Sequence, residues 1–381
     1  MTKILEITTV GITARAFLVP FFQELKEAGY EVTYAATDDL DAREAAKQAD
    51  VPFFPVYISR KISLKDFVAI YKLYKFIKKE RFEIVHTHTA KAGFAGRFAA
   101  SLAGVPYILH TAHGLTIHKG LSKFKKALYL FLERFIGKRT NKFICVTKLV
   151  QESLCQQGIA SQEKCIVIPN FVGENYDHAK IKEEQIANFQ KMLALPCDAL
   201  LITAAARLVE DKGLEELIAA HSKLPENIFL AIAGDGPKKS ELENLAKTYG
   251  SEKRLRLLGW VDNAMMPAFL SLSDIFVSAT KREGFGVGII EAQALGLPVV
   301  TSKIRPITDL IEENSAVFID VSTPETTEKE LFLALQKLIE DSAKRSELAT
   351  KAKENAARYS LENYRKNVRA FLKNLLTQKS E

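Results

Sequence analysis

Short apolar runs alternate with amphipathic stretches along almost the whole chain. Most of the stretches between these runs are long enough for a helix, as at 14–28 and 93–102. Continuous apolar runs separated by helical patterns are typical of parallel strands that are buried on both faces. In the first half of the chain, the predicted strands are 4–8, 32–36, 53–58, 84–88, 107–111, 143–147 and 166–168.

The same alternation begins again in the second half, after a pause at 171–178 that follows Pro169 and Asn170. The strands predicted there are 200–206, 228–233, 255–258, 275–278, 299–301 and 317–319. The pause indicates a linker, and the repeated strand and helix units on either side of it predict two α/β domains, each with a doubly wound parallel sheet. Ligands of such sheets bind beyond the carboxyl ends of the strands, so the residues at those ends are the functional candidates.

The length and composition agree with this division. A chain of 381 residues is long enough for two domains, and an apolar content of 47% supports two packed cores. No apolar run approaches the roughly 18 residues that suggest a membrane span. The amino terminus begins directly with a strand pattern rather than a signal peptide, so we expect a cytoplasmic protein.

Basic residues are concentrated in the first half of the chain. Residues 1–170 contain 25 Lys and Arg against 15 Asp and Glu, whereas the remainder has 28 against 31. Two segments, 59–81 and 119–142, each carry eight cations among apolar residues spaced for an amphipathic helix. This bias suits nucleic acid, an anionic membrane surface or a phosphorylated substrate, although a solvated helix face would have the same composition.

The cysteines and the acidic residues of the first half do not indicate a metal site. The four cysteines contain no C-x-x-C pair, and Cys145 and Cys165 lie in strand-like runs, where small buried apolar residues are expected rather than metal ligands. Asp38, Asp39 and Asp41 precede a predicted helix, where aspartate caps backbone N–H groups. We therefore assign no metal.

The densest group of candidate residues follows the strand at 275–278. Gly284, Phe285 and Gly286 form a loop that can bring bare backbone against a ligand. A helix predicted at 287–295 would point its unpaired N–H groups toward that loop. Together they predict an anion site of the kind that binds phosphate.

Charged pairs accompany the loops of this half. Glu283 and Glu291 lie eight residues apart around the helix start, where both can face one ligand. Arg207 and Lys212 lie at a turn entering a helix and can converge on one diphosphate. Gly234 opens a Gly-Asp-Gly-Pro turn that can bring backbone near a nucleotide. Helix-face polarity, exposed cations and a tight turn would explain the same residues without a ligand.

Polar residues also end the strands of the first half. Gly11 offers a flexible turn after the first strand, and His86, His88 and Lys91 follow one another at the end of the strand at 84–88. The two His share one strand face and could form a metal pair, but the sequence shows no third ligand nearby. Contact with an acceptor or a pyrophosphate is the functional prediction, and ordinary strand-end polarity is the alternative.

The next strand ends in His110-Thr-Ala-His-Gly114. His110 lies deeper in the strand, where we expect it to pack. His113 immediately precedes a glycine at the strand end, and a lone histidine is more often a hydrogen-bonded structural residue than a catalytic one.

Two of these pairs carry a resemblance to a known family. Glu283 and Glu291 match the E-x7-E signature of the retaining GT-B glycosyltransferases of the family-four group, and Arg207 and Lys212 match its R-x4-K pair. The resemblance implies that Glu283 and His113 contact the donor sugar and act in catalysis, that Glu291 holds the ribose, and that the basic pair holds the diphosphate. It also implies that the glycines named above, with Phe285, bind the nucleotide or its phosphates.

The family usually has at least two glycines at the first strand end, where this chain has only Gly11. The motifs His-Thr-His-Thr-Ala-Lys-Ala-Gly and Thr-Ala-His-Gly are similar to those of bacterial capsule and exopolysaccharide transferases within the group.

The resemblance further implies the GT-B architecture, with two facing Rossmann-like domains and an interdomain cleft. We expect an amino-terminal acceptor-side domain at 1–172, a nucleotide-sugar domain at 173–359, and a terminal segment at 360–381 that joins the first domain. Its helix is predicted at 361–376, with Ser360 as the N-cap.

The implied activity is metal-independent transfer from a UDP-activated N-acetylated sugar to an undecaprenyl-diphosphate-linked glycan, in capsule, exopolysaccharide or O-antigen synthesis. We expect no cofactor and no nucleic acid partner. The basic segments at 59–81 and 119–142 suggest peripheral binding to the inner face of the cell membrane.

Other function classes stay open. A nucleotide-sugar epimerase or hydrolase could share the fold and the phosphate site, but would need no acceptor. A nucleic-acid-binding protein would explain the basic first half but not the acidic pair of the second. An NAD-dependent oxidoreductase is disfavoured because no G-x-G-x-x-G follows a predicted strand.

Overall fold

The computed structural model describes residues 1–59, 65–114 and 122–377. The chain divides into two compact units. The first unit comprises Met1–Asn170 with Glu362–Glu381, and the second unit comprises Phe171–Leu361. The linker predicted at 171–178 begins directly after this boundary.

A seven-stranded sheet lies at the centre of the first unit, and every strand pair in it is parallel. The strand order β3-β2-β1-β4-β5-β6-β7 places β4 in the middle, between β1 and β5, and all seven predicted strands are confirmed. The strands are β1 (Lys3–Ile7), β2 (Glu31–Ala36), β3 (Phe53–Pro55), β4 (Ile84–His88), β5 (Tyr107–Ala112), β6 (Lys142–Cys145) and β7 (Cys165–Val167).

Helices cover both faces of this sheet, as the alternating pattern predicts. The α-helices of the unit are Gly11–Thr13, Val19–Glu27, Leu40–Ala49, Lys65–Glu80, Ala90–Ala103, Lys123–Gly137, Lys148–Gln156 and Leu361–Thr377, with a 3₁₀ turn at Gln162–Lys164. Residues 60–64 and 119–121 of the two predicted basic segments lie outside the described residues.

The first predicted helix, at 14–28, is not one regular helix. The structure has a π-helical turn at Ala14–Leu18 before the α-helix Val19–Glu27. Pro20 stands at the start of that α-helix and has no N–H to complete the hydrogen-bond ladder to the preceding turn, which widens instead.

A six-stranded parallel sheet forms the second unit, in the order β10-β9-β8-β11-β12-β13. Its strands are β8 (Leu200–Ala205), β9 (Ile228–Ala233), β10 (Leu255–Gly259), β11 (Ile275–Ser278), β12 (Val299–Ser302) and β13 (Val317–Ile319), and all six were predicted. The prediction of two Rossmann-like domains with parallel sheets is therefore confirmed.

The second unit is also helical on both sheet faces. Its α-helices are Glu183–Leu193, Leu214–Ser222, Lys239–Thr248, Met266–Leu270, Val287–Ala294, Ile307–Leu310, Pro324–Glu340 and Ser342–Ala357. Short 3₁₀ turns occur at His178–Lys180, Glu210–Lys212, Glu252–Arg254 and Glu313–Ser315. Among the described residues, no helix combines the length and the hydropathy that crossing a bilayer requires.

The terminal helix Leu361–Thr377 completes the core of the first unit. Val368, Phe371, Leu372 and Leu375 are buried in the same cluster as residues of β1 and β2. Strands β1 and β2 and the helix Leu361–Thr377 therefore share one hydrophobic core.

Candidate active site

A cavity of about 220 Å³ opens at the carboxyl ends of β8 and β11 in the second unit. Lys212, Glu283 and Gly286 line it, together with the backbone that ends the two strands and the first residues of helix Val287–Ala294. The predicted anion loop therefore lies at the edge of the sheet where ligands of doubly wound folds bind.

Lys212 and Glu283 form an ion pair in this cavity. The Lys212 Nζ donates to Glu283 Oε2 at 3.0 Å and to Thr280 Oγ1 at 3.4 Å. The other oxygen of Glu283 accepts from the Gly284 N–H at 2.9 Å. The contacts fix both side chains at the helix start, with the ammonium group directed toward the carboxylate.

Arg207 lies outside this cavity. Its side chain is exposed, and its guanidinium has no hydrogen bond or ion pair with the described residues. A planar group with five donors and no partner can bind an anion without first breaking a contact within the protein.

Glu291 faces a different neighbour from Glu283. It is half-buried and hydrogen-bonds to the phenol of Tyr176, a buried residue of the segment that opens the second unit. Burial raises the pKa of Glu291 to about 7, although the hydrogen bond from Tyr176 opposes this shift. Burial and the nearby Glu291 carboxylate raise the pKa of Tyr176. Neither residue lines the cavity that holds Glu283.

The backbone structure explains why two candidate positions of the second unit, 234 and 286, are glycine. Gly286 adopts a φ of +85° immediately before helix Val287–Ala294. A Cβ on Gly234 would lie 1.9 Å from the carbonyl oxygen of Ala206, and the Gly234 N–H already donates to Gly259 at 2.7 Å. The role of Gly234 in nucleotide binding stays a prediction.

Phe285 is 4% exposed and packs edge-on against Tyr359, with ring centroids 5.6 Å apart. Its ring anchors the loop to the domain, so a nucleotide contact from this residue would have to come from the backbone. That contact also stays a prediction.

A buried polar cluster lies at the carboxyl ends of β1 and β4 in the first unit. The register pairs Glu6 with His86, and both are completely buried. Glu6 Oε1 is 3.1 Å from His86 Nδ1, and Glu6 Oε2 is 2.8 Å from His88 Nε2. The second nitrogen of His86 lies 2.8 Å from Thr111 Oγ1 on β5.

The expectation that His86 and His88 lack a third ligand is wrong. Glu6 supplies one, because a strand distant in sequence pairs with β4, and ligand atoms of the three residues lie within 4.8 Å of one another. These donor types can hold a divalent metal. In the structure the carboxylate and the two facing nitrogens instead hydrogen-bond to one another. Burial of both rings gives no support to direct contact with an acceptor.

His113 continues this cluster toward the surface. His88 Nδ1 is 3.3 Å from His113 Nε2, and both residues border a cavity of about 20 Å³, room for about one water molecule. Burial, followed by the charge of His86, lowers the pKa of His88 to about 3 and that of His113 to about 4. Both imidazoles are therefore neutral near neutral pH.

His110 packs in the core as predicted. It is 6% exposed, its Nδ1 lies 2.9 Å from Thr87 Oγ1, and its ring meets Phe143 edge-on. Burial, with the charge of Arg97 second, lowers its pKa well below the usual value.

The remaining candidates of the first unit make internal contacts. Gly11 is needed because a Cβ would lie 1.9 Å from the Ala42 backbone nitrogen, and its N–H donates to Asp39 at 3.1 Å. Asp39 also caps helix Leu40–Ala49 through Ala42, which confirms its predicted capping role. Lys91 forms an ion pair with Asp66.

Sequence analysis missed two residues of these sites, Glu6 and Tyr176. A glutamate inside an otherwise apolar strand of a parallel sheet is a signal, since charged side chains are rarely buried without a partner. Tyr176 carried no local signal, because only the folded second unit brings it to Glu291.

Two family models match the chain. A "Glycosyltransferase Family 4" model matches residues 18–175, and a "Glycosyl transferases group 1" model matches residues 185–358. Together the two matches cover most of both structural units.

Individual proteins agree with these matches. The chain is 35% identical over 261 residues to an Escherichia coli UDP-Gal:alpha-D-GlcNAc-diphosphoundecaprenol alpha-1,3-galactosyltransferase, an alignment that spans 66% of each chain. It is 25% identical to the putative glycosyltransferase EpsD of Bacillus subtilis over 83% of each chain.

Solved structures show the same fold at lower identity. A crystal structure of Anabaena HepE in complex with UDP-glucose matches with a TM-score of 0.83 at 19% identity, covering 98% of this chain and all of that one. The matches to both domain models, the relatives and the fold lead to one conclusion: the chain belongs to the GT-B glycosyltransferases that combine a family 4 domain with a group 1 domain.

Proposed function

We propose that this glycosyltransferase transfers a sugar, with retention of anomeric configuration, from a UDP-sugar to a glycan linked through diphosphate to a polyprenol. The E. coli relative is named for a UDP-galactose donor and a diphosphoundecaprenol acceptor, and HepE was crystallised with UDP-glucose. These names support the UDP donor and the lipid-linked acceptor. The resemblance of the sequence motifs favours an N-acetylated donor sugar, so the assay includes both sugar types.

The observation that carries the proposal is the ion pair between Lys212 and Glu283 in the cavity of the second unit. We assign the Lys212 ammonium to the donor diphosphate and Glu283 to the donor sugar. As the bond from the anomeric carbon to the diphosphate breaks, charge develops on the leaving oxygen, and a fixed cation stabilises that charge.

Arg207 and Glu291 complete the donor site in this proposal. Arg207 has no partner among the described residues, so it can bind the diphosphate directly. The carboxylate of Glu291 would accept hydrogen bonds from the ribose hydroxyls, with Tyr176 orienting it.

The acceptor hydroxyl attacks the anomeric carbon from the face that the diphosphate leaves. Its proton passes to a phosphate oxygen of the departing UDP, so the step needs neither a protein nucleophile nor a metal. His113 contacts a hydroxyl of the donor sugar.

Two helices of the first unit suit an anionic membrane surface. Helix Lys123–Gly137 exposes Phe124 (78%), Leu128, Phe131 (67%) and Phe135 at intervals of four, three and four residues, which places them on one face. Exposed lysines flank that stripe at its amino-terminal end. Exposed aromatics beside cations are the composition of helices that lie in a bilayer interface.

The second of these helices, Lys65–Glu80, buries Leu73 and Ile77 but exposes Phe67 and Tyr71. Lys72 and Lys75 are exposed on the same helix. We propose that both helices bind anionic lipid, which would bring the enzyme to an acceptor embedded in the membrane.

The transfer is tested with UDP-galactose, UDP-glucose and UDP-N-acetylglucosamine, each with and without polyprenyl-diphosphate-linked N-acetylglucosamine, in EDTA. We expect a disaccharide lipid from one donor, with the anomeric configuration of that donor by NMR. Lys212→Ala and Glu283→Gln should each lower kcat about 100-fold or more, the scale of losing one electrostatic contact to a transition state.

The matched control is Glu313→Gln, an exposed glutamate of the second unit, which should leave the rate unchanged. Turnover of a UDP-sugar that is the same with and without acceptor would indicate the epimerase or hydrolase alternative. Inversion at the anomeric carbon would contradict the retaining mechanism, and loss of activity in EDTA would contradict metal independence.

Membrane binding is tested by sedimentation with vesicles of anionic or zwitterionic lipid. Phe124→Ser combined with Phe131→Ser should lower binding to anionic vesicles about tenfold or more, because the variant lacks two aromatic side chains that would be buried in the bilayer interface. Leu333→Ser is the control, since Leu333 is 50% exposed on helix Pro324–Glu340 of the second unit. Equal binding of all three proteins would contradict the assignment.

A further inference from the structure

Three side chains from adjacent strands form a hydrogen-bonded row in the first unit: Glu6 on β1, His88 on β4 and His113 after β5. We infer that Glu6, acting through His88, is a positioning residue that fixes the tautomer of His113, so that His113 presents its Nδ1 as a hydrogen-bond acceptor. This inference deepens the proposed function and rests on it, because it specifies how His113 recognises the donor sugar.

The first step is the state of Glu6. Its carboxylate is completely buried, and each oxygen faces one imidazole nitrogen, at 3.1 Å for His86 and 2.8 Å for His88. Burial alone would raise the pKa of Glu6, but the charge of His86 and the hydrogen bonds from both His keep it below its usual value. An ionised carboxylate can only accept, so His86 Nδ1 and His88 Nε2 both carry hydrogens.

The second step is the tautomer of His88. Its ring is 1% exposed, which favours the uncharged form, and a neutral imidazole has one N–H and one bare nitrogen. Since its Nε2 donates to Glu6, its Nδ1 is the acceptor. The neighbour of that atom is His113 Nε2 at 3.3 Å, which must therefore be the donor.

The third step defines what His113 offers a ligand. His113 is partly buried against His88, which favours its neutral form, and in that form an Nε2–H leaves its Nδ1 without a proton. A bare nitrogen accepts a hydrogen bond from a hydroxyl group and repels a phosphate oxygen, which has no proton to donate. The row therefore selects a sugar hydroxyl at His113 and disfavours an anion there.

His86 supports the same arrangement from the side. Its Nδ1 donates to Glu6, its Nε2 bonds to Thr111 at 2.8 Å, and its ring lies 4.2 Å from that of His88. Every ring nitrogen that faces Glu6 thus has a hydrogen-bond partner. A metal ion in the cluster would require those nitrogens to lose their hydrogens, which makes metal content a direct test of the inference.

The test is nitrogen NMR of the full-length protein labelled at histidine, which distinguishes protonated from bare ring nitrogens. The chain has seven His, and the His113 signals are identified by their loss in His113→Asn. In the wild type we expect a protonated Nε2 and a bare Nδ1. In Glu6→Gln and in His88→Phe we expect a mixture of both tautomers, because the row no longer specifies one.

Thr87→Val is the matched control. It removes a buried hydrogen bond to His110 on the same strands without touching the row, so the His113 tautomer should not change. An unchanged His113 tautomer in both Glu6→Gln and His88→Phe would overturn the inference. So would a stoichiometric metal ion in the purified wild type, measured by elemental analysis.

Kinetic measurements then distinguish a positioning role of Glu6 from a purely structural role. Glu6→Gln should lower kcat about 10- to 100-fold with little change in the KM for the UDP-sugar, because an imidazole in the wrong tautomer loses its directed contact. A fall in thermal stability with unchanged kcat would indicate a purely structural role and overturn the inference. A wild type without transferase activity but with the expected tautomers would refute the proposed function and leave the hydrogen-bonded row established.

Discussion

Glu291 is a carboxylate whose charge changes near neutral pH. Burial raises its pKa to about 7, well above the value of 4.5 for an exposed glutamate. The folded chain therefore binds more protons than the unfolded chain between pH 4.5 and pH 7, and this residue's stabilising contribution declines as the pH rises through that window. Replacing Glu291 by Gln removes the titratable group, keeps the shape of the side chain and should abolish that decline.

We predict that the difference in unfolding free energy between the wild type and Glu291→Gln depends on pH with a defined sign. Relative to the variant, the wild type should be most stable near pH 4.5 and lose that advantage as the pH rises to 7. Urea unfolding of both proteins across this range measures the difference. A constant difference would contradict the raised pKa.

The same residue predicts how donor binding depends on pH. Ribose hydroxyls donate to a carboxylate, so binding favours the ionised form, and affinity for UDP-glucose should rise about tenfold from pH 6 to pH 8. UDP-glucose is preferred to UDP because its esterified phosphates do not titrate there. Calorimetry of Glu291→Gln should show weaker binding with no such dependence, and an equal pH dependence in both proteins would exclude the assigned role.

Individual residues were predictable from the sequence where their signal is local. Lys212, Glu283 and Gly286 follow strand ends, and the structure brings all three to one cavity. Glu6 was missed because its importance depends on the pairing of β1 with β4, whose residues are 80 positions apart in the chain. Local patterns contain no information about that register.

At the scale of elements, two helices of the first unit are joined by a buried charge. Arg97 on helix Ala90–Ala103 is completely buried; its Nε donates to the Gly93 carbonyl at 2.7 Å and its Nη2 to Glu133 at 2.8 Å. Glu133 is the single acid of the basic segment that includes helix Lys123–Gly137. Its structural role is to neutralise a guanidinium that has no access to water.

We predict that Glu133→Ala lowers the unfolding free energy by about 3–5 kcal/mol, because the variant leaves the Arg97 cation buried without its partner. The double variant Arg97→Met with Glu133→Leu should recover most of this loss, since an apolar pair needs no neutralisation. Urea unfolding of Glu133→Ala measures the loss, and urea unfolding of Arg97→Met, Glu133→Leu and the double variant measures the coupling. Additive losses would show that the ion pair does not join the helices.

The elements themselves were largely predictable. The thirteen strands in the described part of the chain all follow from apolar runs, because strands buried on both faces of a parallel sheet are continuously hydrophobic. The prediction of β6 extended to residue 147, whereas the strand ends at Cys145. Two further errors occur at prolines: β3 ends at Pro55 rather than at residue 58, and Pro20 breaks the first helix into a π turn and an α-helix. Both prolines remove a backbone donor that the apolar pattern cannot reveal.

At the scale of the whole molecule, strands β1 and β2 and the helix Leu361–Thr377 depend on one core, although the second unit separates them in sequence. Helix Leu361–Thr377 packs Phe371 against the first unit, and Arg369 binds the buried Glu24 through two hydrogen bonds of 2.5 and 3.0 Å. The second unit has its own core, in which Leu335 of helix Pro324–Glu340 is completely buried. The stability of each unit should therefore respond to different residues.

We predict that Phe371→Ala and Leu335→Ala lower hydrogen-exchange protection in different units of the chain. Each removes a buried side chain at a cost of about 2–5 kcal/mol, and local opening reports where that cost falls. Phe371→Ala should lower the protection of amides in β1 and β2 and leave β8 and β9 unchanged, although residue 371 follows the entire second unit in sequence. Leu335→Ala should do the reverse. If both variants lowered protection equally in all four strands, the chain would unfold as a single cooperative block, and the terminal helix could not be assigned to the first unit alone.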